Sequence, residues 1–214
     1  MSPSLKLLAL ALATLLSVAV AGAGWPDCQP LSVGVDTSLA TSSTATAFGD
    51  TFAEVFYAPD TLITSITIWR SYFIDSSFVG VKLYVANVDS LGKPNPLDLI
   101  LDGPTVYNVA GDSIHPTPFT FTFNPPLLLP RAGMYEIAFQ AVPCGDPFFF
   151  IYCYNNPYPQ GTLWWHGETS RSLCRLRTDP QQYPLQDLVF QVGFCQPITP
   201  AVRETWGSVK ARYR

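Results

Sequence analysis

Histidine, charge and helical periodicity are scarce in this sequence, and each shortage removes a class of function. The only histidines are His115 and His166. There is no Gly-x-Ser-x-Gly elbow, no His-Glu-x-x-His pair, no Walker loop and no dinucleotide fingerprint. The chain therefore reads as a non-enzyme. A glycosidase needs two carboxyls that meet in space, and Glu54, Asp75, Asp102, Glu136 and Glu168 are the candidates in principle. Scattered acids in a strand-rich chain are read first as surface or turn residues. Charged side chains make up 13% of the sequence and the net charge is −4. An acidic body with no basic stripe excludes nucleic acid as a partner, because nothing is there to neutralise phosphates. No two cysteines have the close spacing of a zinc site. Past residue 24, no window carries a 3.6-residue period until the last ten residues, and 20 prolines interrupt most stretches that could form a helix.

What is present begins with an export signal. Lys6 is followed by an apolar run from Leu7 to Val20 that ends in Ala21-Gly22-Ala23. The run is too short for the roughly 20 residues that span a bilayer, and the small residues suit signal peptidase. Residues 1–23 are thus expected to be a signal peptide cleaved before Gly24, leaving no membrane span. A secreted or cell-surface location follows.

Period-two alternation recurs after that point. Ile66, Ile68 and Arg70 alternate with Thr67 and Trp69, and Val79, Val81, Leu83 and Val85 alternate with Gly80, Lys82 and Tyr84. Phe119, Phe121 and Phe123 alternate with Thr120 and Thr122, which puts rings on one face and hydroxyls on the other. Tyr135 to Phe139, Phe148 to Tyr154 and Leu188 to Phe194 continue the pattern between turn clusters such as Asp89–Pro94 and Pro143–Pro147. With 14% aromatic residues and these turns, residues 24–198 are expected to form one all-β domain of about eight strands. A jelly-roll-like antiparallel β-sandwich is the preferred architecture, with an immunoglobulin-like Greek-key sandwich as the alternative.

The run Leu83–Pro94, the segment Leu101–Pro104, Gly133-Met134-Tyr135 and the closing Asp187–Phe190 to Phe194-Cys195 resemble the secreted bacterial β-sandwich modules called choice-of-anchor domains. The resemblance covers about residues 45 to 195. It implies a sandwich on an exported or surface protein and brings no catalytic residues with it.

Five cysteines survive signal removal, and in an exported chain they are expected to pair. Cys28 and Cys195, at the two ends of the domain, form the first expected bridge. Cys144 and Cys174, both in polar turn-like surroundings, form the second. Cys153 lies inside an aromatic strand and is left as a buried free thiol.

The stretch from Tyr152 to His166 concentrates aromatic rings and amides, the chemistry by which proteins hold sugars. Its expected glycan platform is Tyr154, Asn155, Tyr158, Trp164 and His166. Trp164 and Trp165 are adjacent, so in a strand they face opposite sides and one belongs to the core. Asp89, Asn95, Asp98 and Asp102 form a set of calcium candidates, but Asp-Ser and Asn-Pro steps are ordinary turn formers and no EF-hand spacing is present. No other cofactor is expected. Residues 199–214 read as a linker and a short basic tail, in which Thr205 caps a two-turn segment presenting Trp206, Lys210 and Tyr213 for docking. Two functions from different classes follow. One is a non-catalytic module that binds glycan at the cell surface or outside the cell; the other is a structural or adhesive envelope subunit that binds protein partners.

Overall fold

Every segment with period-two alternation lies in strands, with Leu188 to Phe194 divided at Val189 between two of them. The computed structural model describes residues 28–46, 51–71, 79–108, 114–144, 148–167, 176 and 179–198. The expected signal peptide, Asp75, Glu168, Cys174 and the tail residues Trp206, Lys210 and Tyr213 lie outside the described residues. Contacts divide the chain into two units. The unit Pro30–Gln196 holds the sandwich, and of the other, Met1–Gln29 with Pro197–Arg214, only residues 28, 29, 197 and 198 are described.

The strands form two antiparallel sheets. The first contains β1 (Cys28–Gly34), β2 (Ser42–Thr46), β4 (Leu62–Arg70), β7 (Thr117–Leu128), β9 (Phe148–Tyr154), β12 (Gln186–Leu188) and β13 (Phe190–Pro197). The second contains β3 (Thr51–Ala58), β5 (Val79–Val88), β6 (Pro94–Asn108), β8 (Gly133–Val142), β10 (Thr162–His166) and β11 (Gln181–Tyr183). The first runs β1-β13-β4-β9-β12, with β7 on β4 and β2 on β9; the second runs β11-β10-β3-β8-β5-β6. From β2 to β10 the chain changes sheet at nearly every connection, the winding of a jelly-roll-like sandwich. Among the described residues there are thirteen strands rather than about eight. The surplus includes short strands such as β2, β11 and β12, whose three to five residues are too few for alternation to register.

Between the sheets lies a core of phenylalanines. Phe119 and Phe121 are buried while Thr120 and Thr122 on the same strand are exposed, as the alternation predicts. Thr120 hydrogen-bonds across to Thr67 of β4 at 2.9 Å between hydroxyl oxygens. Phe148 lies tilted against Phe150 with ring centroids 4.4 Å apart and meets Phe119 edge-on at 5.0 Å, and Phe52 of the second sheet meets Phe150 edge-on at 5.9 Å. Each buried ring stabilises the fold by about 1.5–3 kcal/mol through area alone, and each edge-on pair adds about 0.5–1.5 kcal/mol.

The central strands of the second sheet are buried on both faces. Cα register places Trp164, Ala53, Ala138 and Tyr84 in one row across β10, β3, β8 and β5. These four, with Val55 and Leu176, make a separate apolar cluster. The two alanines leave room for the flanking rings, and Leu176 packs against the same cluster.

The cysteine expectations divide by what is described. A disulfide joins Cys28 to Cys195, and Cys153 is free and buried. Cys144 is disulfide-bonded. Among the described residues, no helix is long and apolar enough to cross a membrane.

Candidate functional site

A cleft of about 320 Å³ opens between the two sheets. Thr44 and Ala45 of β2, Tyr152 of β9 and Gln186 of β12 line it from one sheet. Phe52 of β3, Leu163 and Trp165 of β10 and Tyr183 of β11 line it from the other. The β11–β12 connection carries the chain from one sheet to the other, which is why Tyr183 and Gln186 meet here. Trp165 is half-buried, and its indole lies so close to Gly167 that a Cβ there would sit 2.6 Å from the ring. Gly167 therefore sets where the ring lies. Tyr152 and Tyr154 form an edge-on pair with centroids 5.3 Å apart and hydroxyls 2.9 Å apart, so the exposed Tyr154 meets the buried ring of the cleft. Among the described residues, the lining carries three aromatic rings with oxygen or nitrogen at their edges, one amide, one aliphatic hydroxyl and no charged side chain.

Most of the expected platform lies elsewhere. Trp164 is 7% exposed, because its face of the sheet carries the second apolar cluster, and Trp165 is the indole that reaches the cleft. His166 is also buried, with Nε2 2.5 Å from Glu136 Oε1. Tyr158 is buried against Phe190, and its hydroxyl accepts the Tyr57 N–H at 3.1 Å. Gly161, at the end of the same turn, has no space for a side chain: a Cβ would lie 1.9 Å from the Val55 carbonyl oxygen. Asn155 is exposed in the left-handed region at φ 68°, which marks it as a turn former. Tyr154 and Asn155 are thus the members of the expected set that face solvent. Tyr183, Gln186, Phe52 and Thr44 were not in that set, since they are brought in from strands distant in sequence.

The calcium candidates serve local geometry. Asp89 Oδ1 accepts the N–H groups of Leu91 and Lys93, and Asn95 Oδ1 accepts that of Leu97. Asp102 pairs with Lys82 at 2.6 Å across β5 and β6, and Asp98 is exposed. Among the described residues, no cluster of three or more His, Cys, Asp or Glu side chains has a geometry to hold a metal ion.

Directly behind the cleft sits a pair of buried carboxyls. Glu54 of β3 and Asp187 of β12 are both fully buried. Glu54 Oε2 accepts the Leu188 N–H at 2.9 Å, and Asp187 Oδ2 accepts the Tyr158 N–H at 2.9 Å. The Asn156 side-chain amide, oriented by its partners, donates to both Asp187 oxygens at 3.1 and 3.2 Å. Asp187 directly precedes Leu188, whose N–H Glu54 holds, and the second Glu54 oxygen, Oε1, is buried with no donor among the described residues; one proton held by the pair of acids would satisfy it. Burial, then the charge of Asp187, pushes Glu54 well above the usual carboxyl range. Burial pushes Asp187 up to about 6, against the opposing pull of the Tyr158 N–H and of Glu54. The proton therefore rests on Glu54 and the charge on Asp187. Burial and then these two acids push the nearby Cys153 thiol up to about 11.

No protein-family model matches this chain. No curated protein matches it either. Among solved structures it is similar to a chain with the cysteine protease and lectin-like domains of Cwp84, a surface layer associated protein of Clostridium difficile, at 10% identity and a TM-score of 0.44. That match covers 73% of this chain and 36% of the other.

Proposed function

We propose that this domain is an exported, non-catalytic module that binds a short neutral glycan in the cleft between its sheets, at the cell surface or outside the cell. The observation that carries this reading is the convergence of Trp165, Tyr152 and Tyr183 with Gln186 and Thr44 from both sheets into one opening. A ring face covers the apolar C–H side of a sugar while amide and hydroxyl groups fix its orientation. At about 320 Å³ the cleft is at the small end of ligand pockets, which suits an oligosaccharide terminus. The uncharged lining favours a neutral sugar, because a charged one would be desolvated with no partner. The charge on Asp187 behind the cleft works against an anionic one. The architecture of the choice-of-anchor modules is part of the same proposal.

A glycan array probed with the mature domain tests this. Wild type should retain neutral glycans, and Trp165→Ala should lose them. Gln186→Ala, which removes only an exposed-side amide, should weaken retention with the thermal midpoint unchanged within a few degrees. Absence of any retained glycan, or retention by Trp165→Ala equal to wild type, would overturn the reading. The adhesive-subunit alternative draws on Leu91, Leu97 and Leu99, which are exposed at or before the edge strand β6. It predicts a protein partner whose binding is lost on Leu97→Asp and is indifferent to Trp165→Ala.

A further inference from the structure

The carboxyl pair is joined to the cleft through four of its lining residues. Gln186 immediately precedes Asp187, and Tyr152 is the Cα partner of Leu188, whose N–H is held by Glu54. Phe52 lies two residues before Glu54 on β3, and Leu163 is the Cα partner of Glu54 itself. The same pair ties β3 of one sheet to β12 of the other, and to the turn carrying Asn156 and Tyr158. Whatever moves Glu54 away from Asp187 therefore moves both walls of the cleft.

We infer that Glu54 and Asp187 form a proton-operated latch, which holds the two walls of the cleft in register while the carboxyls share a proton and releases them when that proton leaves. The latch concerns the regulation of the cleft, so its consequence for ligand rests on the binding reading, while the latch itself does not. Glu54 Oε2 accepts from Leu188, Asp187 accepts from Tyr158 and Asn156, and Glu54 Oε1 is the buried oxygen left without a donor among the described residues. A proton on that oxygen, shared with Asp187, completes the set. Loss of the proton leaves two carboxylates facing each other in a buried site, a like-charge arrangement with a large desolvation cost. The neighbours do not neutralise it. From β9 the facing titratable group is the Cys153 thiol, and from the turn it is the Tyr158 hydroxyl; both ionise to further negative charge. At the Glu54 register position, β8 and β10 contribute Ile137 and Leu163. Among the described residues, no lysine, arginine or histidine acts on either carboxyl. Separation of β12 and its turn from β3 is the available relief.

Hydrogen exchange over residues 183–190, corrected for the intrinsic pH dependence of amide exchange, tests the latch without any ligand. Between about pH 6 and the alkaline limit of the folded state the protection of this segment in wild type should fall by at least about tenfold, the equivalent of one pH unit of differential proton affinity. Glu54→Gln keeps the geometry, since its amide donates to Asp187 and its carbonyl accepts from Leu188, and it has no proton to lose. Its protection should stay flat over the same range. Asp187→Asn, which removes the opposing charge but leaves Glu54 buried, should fall less than wild type and serves if Glu54→Gln does not fold. A wild-type profile as flat as the variants, or variants that fall in parallel with wild type, would overturn the latch. The same proteins on the neutral-glycan array at both pH values separate the two proposals. Retention lost at high pH by wild type and kept by Glu54→Gln supports both. An exchange switch with no glycan retained at either pH supports the latch and sinks the binding reading.

Discussion

Replacing Asp187 with asparagine should remove a pH dependence that runs opposite to the usual one for carboxylates. Asp187 titrates at about 3.8 in the unfolded chain and is pushed up to about 6 in the fold, burial being the main cause. A carboxyl with the higher value in the folded state holds its proton more tightly when folded. The stability it contributes is therefore complete below about pH 4 and is lost as pH rises through about 6. The difference corresponds to about 3 kcal/mol, a sizeable fraction of the stability of an ordinary domain. Glu54, raised for the same reasons, extends the loss to higher pH. Asp36 acts in the other direction, because the Ser38 side chain and N–H lower it, but it is exposed and common to both proteins. Urea unfolding of wild type and Asp187→Asn at about pH 4, 5, 6 and 7 gives the comparison directly. The free-energy difference between the two proteins should change by about 2.5 kcal/mol across that range, with wild type losing ground as pH rises. Parallel profiles, or a wild-type protein that gains stability relative to the variant with rising pH, would refute the assignment of a shared proton to this pair.

Two further outcomes follow from the burial of particular groups. Trp164→Ala should destabilise the domain by about 3–5 kcal/mol and lower the thermal midpoint by on the order of 10 °C, whereas a midpoint within a few degrees of wild type would mean that the second apolar cluster is not a packed layer. The Cys153 thiol, buried and pushed up to about 11, should resist iodoacetamide at about pH 8 in the folded protein and react readily once unfolded, as read by intact mass; rapid labelling of the native protein would contradict its placement.

The sandwich was legible because alternation is a local property. Phe119 to Phe123 shows which side chains share a face without reference to any other strand. The aromatic region was legible as chemistry but not as geometry. Adjacent Trp164 and Trp165 must face opposite sides, yet the choice between them depends on what covers the second sheet, and Leu176 and the Ala53–Ala138 row are set by tertiary packing. His166 looked like a polar member of a sugar site because its partner, Glu136, lies 30 residues earlier. The Glu54–Asp187 pair was out of reach for the same reason: β3 and β12 meet only when both sheets are built. Of the five scattered acids, whose spacing points to surface or turn positions, Glu54 and Glu136 are both fully buried, each with its partner on a distant strand.

The winding also fixes the order in which this chain can finish folding. β2 pairs with β9, β3 with β10 and β4 with β13, so the middle of each sheet waits for segments synthesised long after it. Pairings of such wide sequence separation carry their loop-closure entropy before any contact offsets it, which places folding in the millisecond-to-second range typical of sandwiches. β13 completes the first sheet on β4, and Asp187, just before it, completes the contact with Glu54. Until those residues leave the ribosome, β4 has an open edge and Glu54 has no partner. Any chain stopped short of Gln186 would therefore expose an unpaired sheet edge and a phenylalanine-rich interior, the features that mark a chain for aggregation or proteolysis.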